Sequence, residues 1–247
     1  MEQYSIFAKY YDEFMRDIPY DSWCEFILNE LEKNNKKSGR ILELGCGTGN
    51  MSFRMEKAGY EVVSTDLSLP MLKVANRKKR KNQSKIRFGM MDMCDILIDE
   101  TFDIVLCLCD STNYMQNEAM LEQVFAGVYN VLCPGGIYIF DLKKEDFFRQ
   151  LADNTFVDEI DNCYYVWEND YDEENRDNYY YLTFFAKGPF GAYRKYEEEQ
   201  MQHAFSNEEV LMVAQKTGFA VKSILELEGS EERIYYVMEK KYERLFG

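Results

Sequence analysis

The fold is decided by the stretch Ile41-Leu42-Glu43-Leu44-Gly45-Cys46-Gly47-Thr48-Gly49. Its first half is apolar and is typical of a buried strand, and its second half places three glycines at alternate positions. Glycine adopts positive φ and carries no Cβ, so such a turn brings its backbone N–H groups close to a small molecule. The stretch therefore predicts a strand that ends in a binding loop for a nucleotide-type cofactor.

A second strand and an acidic residue follow the glycine turn. Residues 50–57 have a helical pattern, residues 61–65 form an apolar strand, and Asp66 ends that strand. A carboxylate roughly 20 residues beyond the glycines is placed to accept hydrogen bonds from both hydroxyls of a cofactor ribose. The alternative interpretation is that Asp66 caps the helix that begins at residues 67–70, and the two interpretations are compatible.

The first 145 residues alternate between helical patterns and short apolar strands. The predicted strands are residues 40–44, 61–65, 86–90, 102–108 and 137–141. Strands separated by connections of helix length pair in parallel, which predicts a three-layer α/β fold with a mostly parallel central sheet. Ligands bind such sheets beyond the carboxyl ends of the strands. The residues that follow the strands, at 45–47, 66–67, 91–93 and 109–113, are therefore the candidate site.

Composition excludes several classes of function. The 247 residues are 46% hydrophobic and carry a formal net charge of −15, which argues against tracking a nucleic-acid backbone. The basic run at residues 77–81 is expected to be the solvated end of a helix. Seven scattered cysteines without a C-x-x-C pair and a single histidine predict a reducing cytoplasm and no metal site. No run of about 18 apolar residues occurs, so we expect no membrane partner.

The pattern changes after about Glu145. Residues 155–205 alternate aromatic and charged side chains between turn-forming segments, which predicts an inserted antiparallel sheet of about three strands. Ser206 followed by Glu209 has the spacing of a capping box and predicts that a helix over residues 207–217 begins there. Two further strands, at residues 220–227 and 233–239, are expected to close the chain.

The motifs together resemble those of the class I S-adenosylmethionine-dependent methyltransferases. The resemblance rests on residues 43–49, on Asp66, on Met91-Asp92-Met93 and on Leu132-Cys133-Pro134-Gly135-Gly136, in that order. The opening residues 4–12 are similar to the N-terminal cap of the members that act on small molecules. A nicotinamide-dependent oxidoreductase is the first alternative, but its G-x-G-x-x-G fingerprint differs from the G-x-G-x-G found here. A protein that binds S-adenosylmethionine without catalysis is the second.

The resemblance implies a division of the chain and a set of cofactor-binding residues. Residues 1–145 and 206–247 would form the Rossmann-like domain that binds S-adenosylmethionine, and residues 146–205 an antiparallel β lid over the acceptor. The implied cofactor-binding residues are Tyr4, Tyr11, Glu43, Gly45, Cys46, Gly47, Asp66, Leu67, Met71, Met91, Asp92, Met93 and Cys109.

Within this set the resemblance implies individual roles. Gly45 would contact the methionine moiety, Asp66 the ribose, and Asp92 the exocyclic amine of adenine. Leu67 and Met93 would cover the adenine faces, Cys109 would lie near the sulfonium, and Tyr4 and Tyr11 would close over the cofactor. The alternatives are ordinary core packing for Met91 and Met93 and plain helix packing for the two tyrosines.

Methyl transfer from a sulfonium is an in-line displacement, so positioning in a dry pocket supplies most of the acceleration. A general base is needed only for an acceptor that is protonated near neutral pH. Asp110 and Tyr114 follow the fourth strand and are candidate catalytic residues, with a turn-forming role as the alternative. His203, the only histidine, is a candidate base because its pKa is ordinarily near neutrality, and a structural role is its alternative.

The remaining expectations concern the acceptor and the oligomeric state, and they come from the lid and from the surface charge. The lid aromatics Tyr165, Trp167, Tyr181, Phe185 and Tyr196 are candidates to wall an acceptor pocket, although aromatic side chains also favour any half-buried sheet. A lid-mediated contact would make a homodimer, and otherwise a monomer is expected. The acidic surface favours a cationic or neutral small molecule as the acceptor.

Overall fold

The computed structural model describes residues 6–160 and 162–241. Their strands are β1 (Arg40–Leu44), β2 (Glu61–Asp66), β3 (Arg87–Met90), β4 (Phe102–Cys107), β5 (Leu132–Lys143), β6 (Thr155–Ile160), β7 (Cys163–Asp172), β8 (Asp177–Lys187), β9 (Tyr193–His203), β10 (Phe219–Leu227) and β11 (Ser230–Lys240). Their α-helices are α1 (Phe7–Phe14), α2 (Tyr20–Lys33), α3 (Asn50–Lys57), α4 (Leu69–Asn82), α5 (Glu118–Val131), α6 (Glu145–Leu151) and α7 (Asn207–Thr217).

Seven strands form the central sheet, in the order β10-β11-β5-β4-β1-β2-β3. Strands β1 to β5 run parallel, whereas β11 is antiparallel to β5 and β10 is antiparallel to β11. The chain moves from β1 to β2 on one side and later to β4 on the other. The order of the strands therefore reverses between β1 and β4, which is where open α/β sheets leave a crevice for a ligand.

Side chains that alternate along the strands bury the sheet on both faces. In β1, Ile41 belongs to one apolar cluster and Leu42 and Leu44 to the other, and all three are fully buried. In β5, Ile137 and Tyr138 divide in the same way. Helices cover both faces because each face must exclude water. The predicted three-layer fold is confirmed.

The predicted helix start at Ser206 is confirmed in detail. The Ser206 hydroxyl accepts the Glu209 N–H at 3.2 Å, and the Glu209 carboxylate accepts the Ser206 N–H at 2.7 Å. The helix ends at Gly218, whose φ of 91° lies in the left-handed region that glycine tolerates. This helix returns the chain from the lid to the final hairpin, β10 and β11.

The inserted sheet has four strands, so the prediction of about three was too low. They pair antiparallel in the order β6-β7-β8-β9. Along β8 the buried residues alternate with more exposed ones, which gives the sheet an inner and an outer face. We call this sheet the lid. The missed strand is β6, whose side chains are mostly exposed and which therefore lacks a strong apolar alternation.

Helix α1 bridges the lid and the central domain. The Glu198 carboxylate on β9 accepts the N–H groups of Ile6 and Phe7 at 3.1 and 3.3 Å, where the helix begins. Phe7 and Phe14 pack against Phe184 of the lid, with ring centroids 5.8 and 6.1 Å apart. The N-terminal segment is therefore held against the lid at one end.

The other end of α1 is held by the central domain. Asp12 accepts hydrogen bonds from Thr48, Asn50 and Lys78 at 2.6, 3.2 and 3.0 Å. Lys78 was expected on the solvated end of α4, and that expectation was wrong for this residue because its ammonium turns inward to Asp12.

Among the helices of the described ranges, none is long and apolar enough to cross a membrane.

Candidate active site

A cavity of about 1280 Å³ opens at the carboxyl ends of β1, β2 and β4 and continues under the inner face of the lid. The predicted cofactor residues that line it are Tyr11, Glu43, Gly45, Cys46, Gly47, Asp66, Leu67, Met71, Met91, Asp92, Met93 and Cys109. Tyr4 lies outside the described residues. One cavity thus gathers residues from the ends of the four neighbouring strands β1 to β4 and from α1.

The glycine turn lies at the centre of this wall. Gly45, Gly47 and Gly49 have φ values of 66°, 54° and 84°, which glycine adopts without strain. A Cβ on Gly45 would lie 2.5 Å from the Ser111 hydroxyl oxygen, so a side chain cannot be accommodated there. A Cβ on Gly47 would meet no atom within 4 Å, which shows that this part of the backbone faces open space.

Asp66 closes the far side of the turn. Its carboxylate accepts the N–H of Gly47 and the N–H of Ser68, each at 2.7 Å. Burial raises the pKa of Asp66, and the two N–H groups oppose that shift. The N-cap of α4 is Ser68, so Asp66 fixes the first turn without capping the helix. Each carboxylate oxygen keeps a lone pair that a ribose hydroxyl can reach.

Glu43 lies beneath the glycine turn. It is buried in β1 and accepts hydrogen bonds from the hydroxyls of Ser52 and Ser64. Burial raises the pKa of Glu43 to about 7, although both hydroxyls stabilise the ionised form. The residue joins β1, β2 and α3 directly below the loop that faces the cavity.

An apolar wall follows β2 and β3. Leu67 and Met90 are 61% and 66% exposed, and both line the cavity. Exposed apolar side chains that face a cavity are suited to covering a flat apolar ligand. The Asp92 carboxylate accepts the Cys94 N–H at 2.8 Å and lines the cavity at the same edge.

A strained bend follows β4 on the opposite side of the turn. Cys109 and Asp110 are consecutive non-glycine residues with φ values of 60° and 56°. Such backbone is costly and persists where the surroundings hold it. The buried Asp141 carboxylate accepts the Asp110 N–H at 3.0 Å, and the Ser111 hydroxyl donates to the Gly45 carbonyl at 3.2 Å. The bend and the glycine turn are therefore tied together.

Asp110 belongs to a buried group of four charges. Its carboxylate lies 2.6 Å from Nη1 of Arg233 and 3.1 Å from Nζ of Lys143. Arg233 also binds Asp141 at 2.6 Å, and Gln202 donates to Asp110 at 2.7 Å. Burial opposes ionisation, but the attraction of the two cations outweighs it and lowers the pKa of Asp110 to about 2.

The sequence reasoning missed this group apart from Asp110. Asp141 and Lys143 stand in the otherwise apolar strand β5, and Arg233 lies on β11. A charged residue inside a buried strand was the available signal, since such residues are paired when they occur. The partners come from positions about 30 to 120 residues apart, so no local motif joins them.

The catalytic candidates are separated by the fold. Tyr114 lines the cavity, and its hydroxyl donates to Gln200 of the lid at 2.8 Å. His203 is not part of the described lining; its Nδ1 lies 2.7 Å from Asp177, and its ring packs against Phe205. We therefore correct the assignment of His203 as a general base and give it the structural role that was its alternative.

The lid aromatics also divide. Tyr165 and Trp167 line the cavity, whereas Tyr181, Phe185 and Tyr196 do not. Tyr181 and Phe185 share the outer face of β8, because side chains of one strand alternate between faces. The lid residues that line the cavity beyond the predicted ones include Phe156, Tyr180, Leu182, Gln200 and Gln202.

Comparison with known proteins identifies the family. A family model described as a methyltransferase domain matches residues 41–136. The putative methyltransferase YqeM of Bacillus subtilis (strain 168) is 32% identical over 245 residues, which cover 96% of this chain and 97% of the relative. The crystal structure of an S-adenosylmethionine-dependent methyltransferase from Clostridium acetobutylicum ATCC 824 is 29% identical, with a TM-score of 0.83 over 97% of this chain and 99% of that one. The chain is an S-adenosylmethionine-dependent methyltransferase.

A more distant structure shares the methyltransferase fold. It is the S-adenosylmethionine-bound CalS10 of Micromonospora echinaspora, an amino pentose methyltransferase. It is 19% identical, with a TM-score of 0.72 over 92% of this chain and 93% of that one. The sequence-based prediction of the family and of its cofactor is confirmed, and the nicotinamide-dependent alternative is set aside.

The residues of this methyltransferase fit S-adenosylmethionine. The open space at Gly47, the carboxylate of Asp66 and the exposed Leu67 match the methionine tail, the ribose and the adenine in the order in which these parts are linked. The Asp110 bend is joined to Gly45 through the Ser111 hydroxyl. The cavity exceeds the roughly 300–1,000 Å³ of a typical single-ligand pocket, which leaves room for a second molecule.

Proposed function

We propose that this methyltransferase acts on a small molecule that binds between the Cys109–Asp110 bend and the inner face of the lid. The observation that carries the proposal is the single cavity, which runs from the glycine turn to Tyr165 and Trp167 without a break. An acceptor held there would face the methionine end of the cofactor. The CalS10 protein, which has the same fold, is an amino pentose methyltransferase, and a small acceptor agrees with the size of the cavity found here.

The proposed roles follow from the contacts. When bound, S-adenosylmethionine supplies an electrophilic methyl group on sulfur. Asp66 and the glycine turn would orient the cofactor. The strained bend at Cys109 and Asp110 would fix where the acceptor atom meets the methyl group. The lid and α1 would shield the reacting atoms from water once both molecules are bound, so that positioning provides the acceleration. The acidic Asp110 carboxylate is a hydrogen-bond acceptor and a poor proton acceptor at neutral pH.

The experiment compares acceptors by size. The purified enzyme is incubated with S-adenosylmethionine labelled in the methyl group and with a bacterial extract divided by ultrafiltration into low-mass and macromolecular fractions. We expect label in low-mass products and S-adenosylhomocysteine formation only with the low-mass fraction. Transfer only to protein or nucleic acid in the retained fraction would contradict the proposal. An Asp66→Ala variant serves as the control for contaminating methyltransferases.

A further inference from the structure

The carboxylate of Asp110 occupies a defined position relative to the cofactor-binding turn. The neighbouring Ser111 hydroxyl donates to the Gly45 carbonyl at 3.2 Å, so the bend and the turn are in direct contact. Asp110 lines the cavity, and Asp66 lies on the other side of the turn, bound to the Gly47 N–H. The Asp110 carboxylate therefore lies at the methionine end of the site, away from the ribose and the adenine.

The charges around Asp110 are closely paired. Asp110 and Asp141 carry two negative charges, and Lys143 and Arg233 carry two positive ones, all within 3.1 Å of a partner. Glu232 adds a third carboxylate, 3.3 Å from Nε of Arg233, at the wall of the same cavity. Asp141, Lys143 and Arg233 are buried, and the Asp110 side chain is 14% exposed. The cations offset the cost of burying the carboxylate and keep it ionised. Its Oδ2 already takes Lys143 and Gln202, whereas Oδ1 takes only Arg233 and retains capacity for a further donor.

We propose that Asp110 forms a binding subsite for an amine nitrogen beside the transferred methyl, so that the acceptor is an amine. This inference rests on the proposed function and names its substrate class. An amine that has lost its ammonium proton to bulk water before it binds presents a lone pair to the methyl and still donates an N–H to the carboxylate, so the site itself needs no general base. A hydroxyl acceptor would have to lose its proton as it attacks, and Asp110 is too weak a base for that step.

The transfer balances with no further reactant. The nitrogen lone pair forms the new C–N bond while the C–S bond breaks and leaves its electron pair on sulfur. The nitrogen gains a positive charge next to the Asp110 carboxylate, which stabilises it by a charge-assisted hydrogen bond. The extra proton leaves to water after the transfer. With Glu232 included, the cluster has one more carboxylate than cations, so it does not repel the positively charged cofactor or the newly charged product.

The subsite can be tested without knowing the acceptor. Sinefungin carries a protonated amino group in the place of the sulfonium methyl, whereas S-adenosylhomocysteine has no group there. Titration calorimetry should show that the enzyme binds sinefungin at least about tenfold more tightly than S-adenosylhomocysteine, because the ammonium gains a bond to a carboxylate. Equal affinities, or tighter binding of S-adenosylhomocysteine, would overturn the proposal. Failure of both ligands to bind would instead contradict the proposed function.

Two variants assign the preference to Asp110. In Asp110→Asn the preference for sinefungin should disappear, and in Asp110→Asn combined with Lys143→Met it should disappear while the net charge of the cluster stays unchanged. The matched control is Asp92→Asn, at the adenine end, which should weaken both ligands equally. A preference that persists in the folded Asp110 variants overturns the proposal.

The labelled product gives a second measurement, which holds even where the Asp110 variants fail to fold. Fragment-ion mass spectrometry of the low-mass product made by the unmodified enzyme locates the methyl group. Methyl on nitrogen is the expected result, and methyl on oxygen, carbon or sulfur overturns the proposal. Absence of any low-mass product contradicts the proposed function, so the two failures are distinguishable.

Discussion

At the cofactor end of the cavity the wall is mainly backbone, whereas at the lid end it is mainly side chains. Gly45, Gly47 and Gly49 shape the first end through three positive φ values, and Asp66 fixes it through two backbone N–H groups. At the other end, Asp110, Lys143 and Arg233 meet from three separate segments. A site formed by backbone comes from one short segment of the sequence, whereas a site formed by side chains brings together residues that only the complete fold makes neighbours.

The largest expected effect is a loss of cofactor affinity when the cofactor end of the cavity alone is changed. Asp66→Ala removes the carboxylate that we expect to bind the two ribose hydroxyls, and it releases the N–H groups of Gly47 and Ser68. We expect the affinity for S-adenosylhomocysteine to fall by at least roughly 100-fold, since each hydrogen bond to a charged group contributes about 1.5–3 kcal/mol. Titration calorimetry measures the loss. An affinity within a few-fold of the unmodified enzyme would remove Asp66 from the site.

The difference between the two ends also explains how much the sequence could predict. The strand before Gly45, the turn and Asp66 lie within 26 residues and predict the cofactor loop, and together with residues 91–93 and 132–136 they identify the family. The lid was predicted as a sheet, but its strand count was too low because β6 is mostly exposed. The partners of Asp110 were missed because they lie on β5 and β11, about 30 to 120 residues away in the sequence. His203 was a reasonable candidate by chemistry alone, and its pairing with Asp177 is visible only in the fold.

The second effect concerns Glu43, the buried carboxyl group below the turn. Because the folded protein raises the pKa of Glu43 from its ordinary 4.5 to about 7, the protonated form is favoured on folding. This stabilisation is complete below about pH 4.5 and is lost as pH rises through 7, which amounts to at most roughly 3 kcal/mol. Glu43→Gln should flatten the pH dependence of the unfolding free energy between pH 5 and 8. Urea unfolding of both proteins measures it, and identical slopes would contradict the pKa assignment.

The third effect belongs to the lid end. Trp167 lines the cavity and packs between Phe156 and Tyr180, with ring centroids 5.7 and 5.4 Å away. Trp167→Ala should lower transfer to the low-mass fraction at limiting acceptor by about tenfold and leave S-adenosylhomocysteine affinity unchanged. Tyr181→Ala, on the outer face of the same sheet, is the matched control and should change neither. Equal losses in both variants would indicate a structural effect on the lid.

The smallest effect tests the bridge between the two ends. Asp12→Ala removes the contacts of α1 with Thr48, Asn50 and Lys78, so the helix should open more often. We expect S-adenosylhomocysteine to dissociate about three- to tenfold faster in stopped-flow measurements. Asp21→Ala, which removes a surface ion pair with Arg54, should leave that rate unchanged. A rate in the Asp12 variant that matches this control would show that α1 does not retain the cofactor.

A crystal structure of the enzyme with S-adenosylhomocysteine tests the central claim most directly. We predict that both ribose hydroxyls lie within hydrogen-bond distance of the Asp66 carboxylate, that the adenine packs against Leu67, and that the sulfur lies on the Asp110 side of Gly45. A ligand bound elsewhere, or with its ribose out of reach of Asp66, would contradict the account.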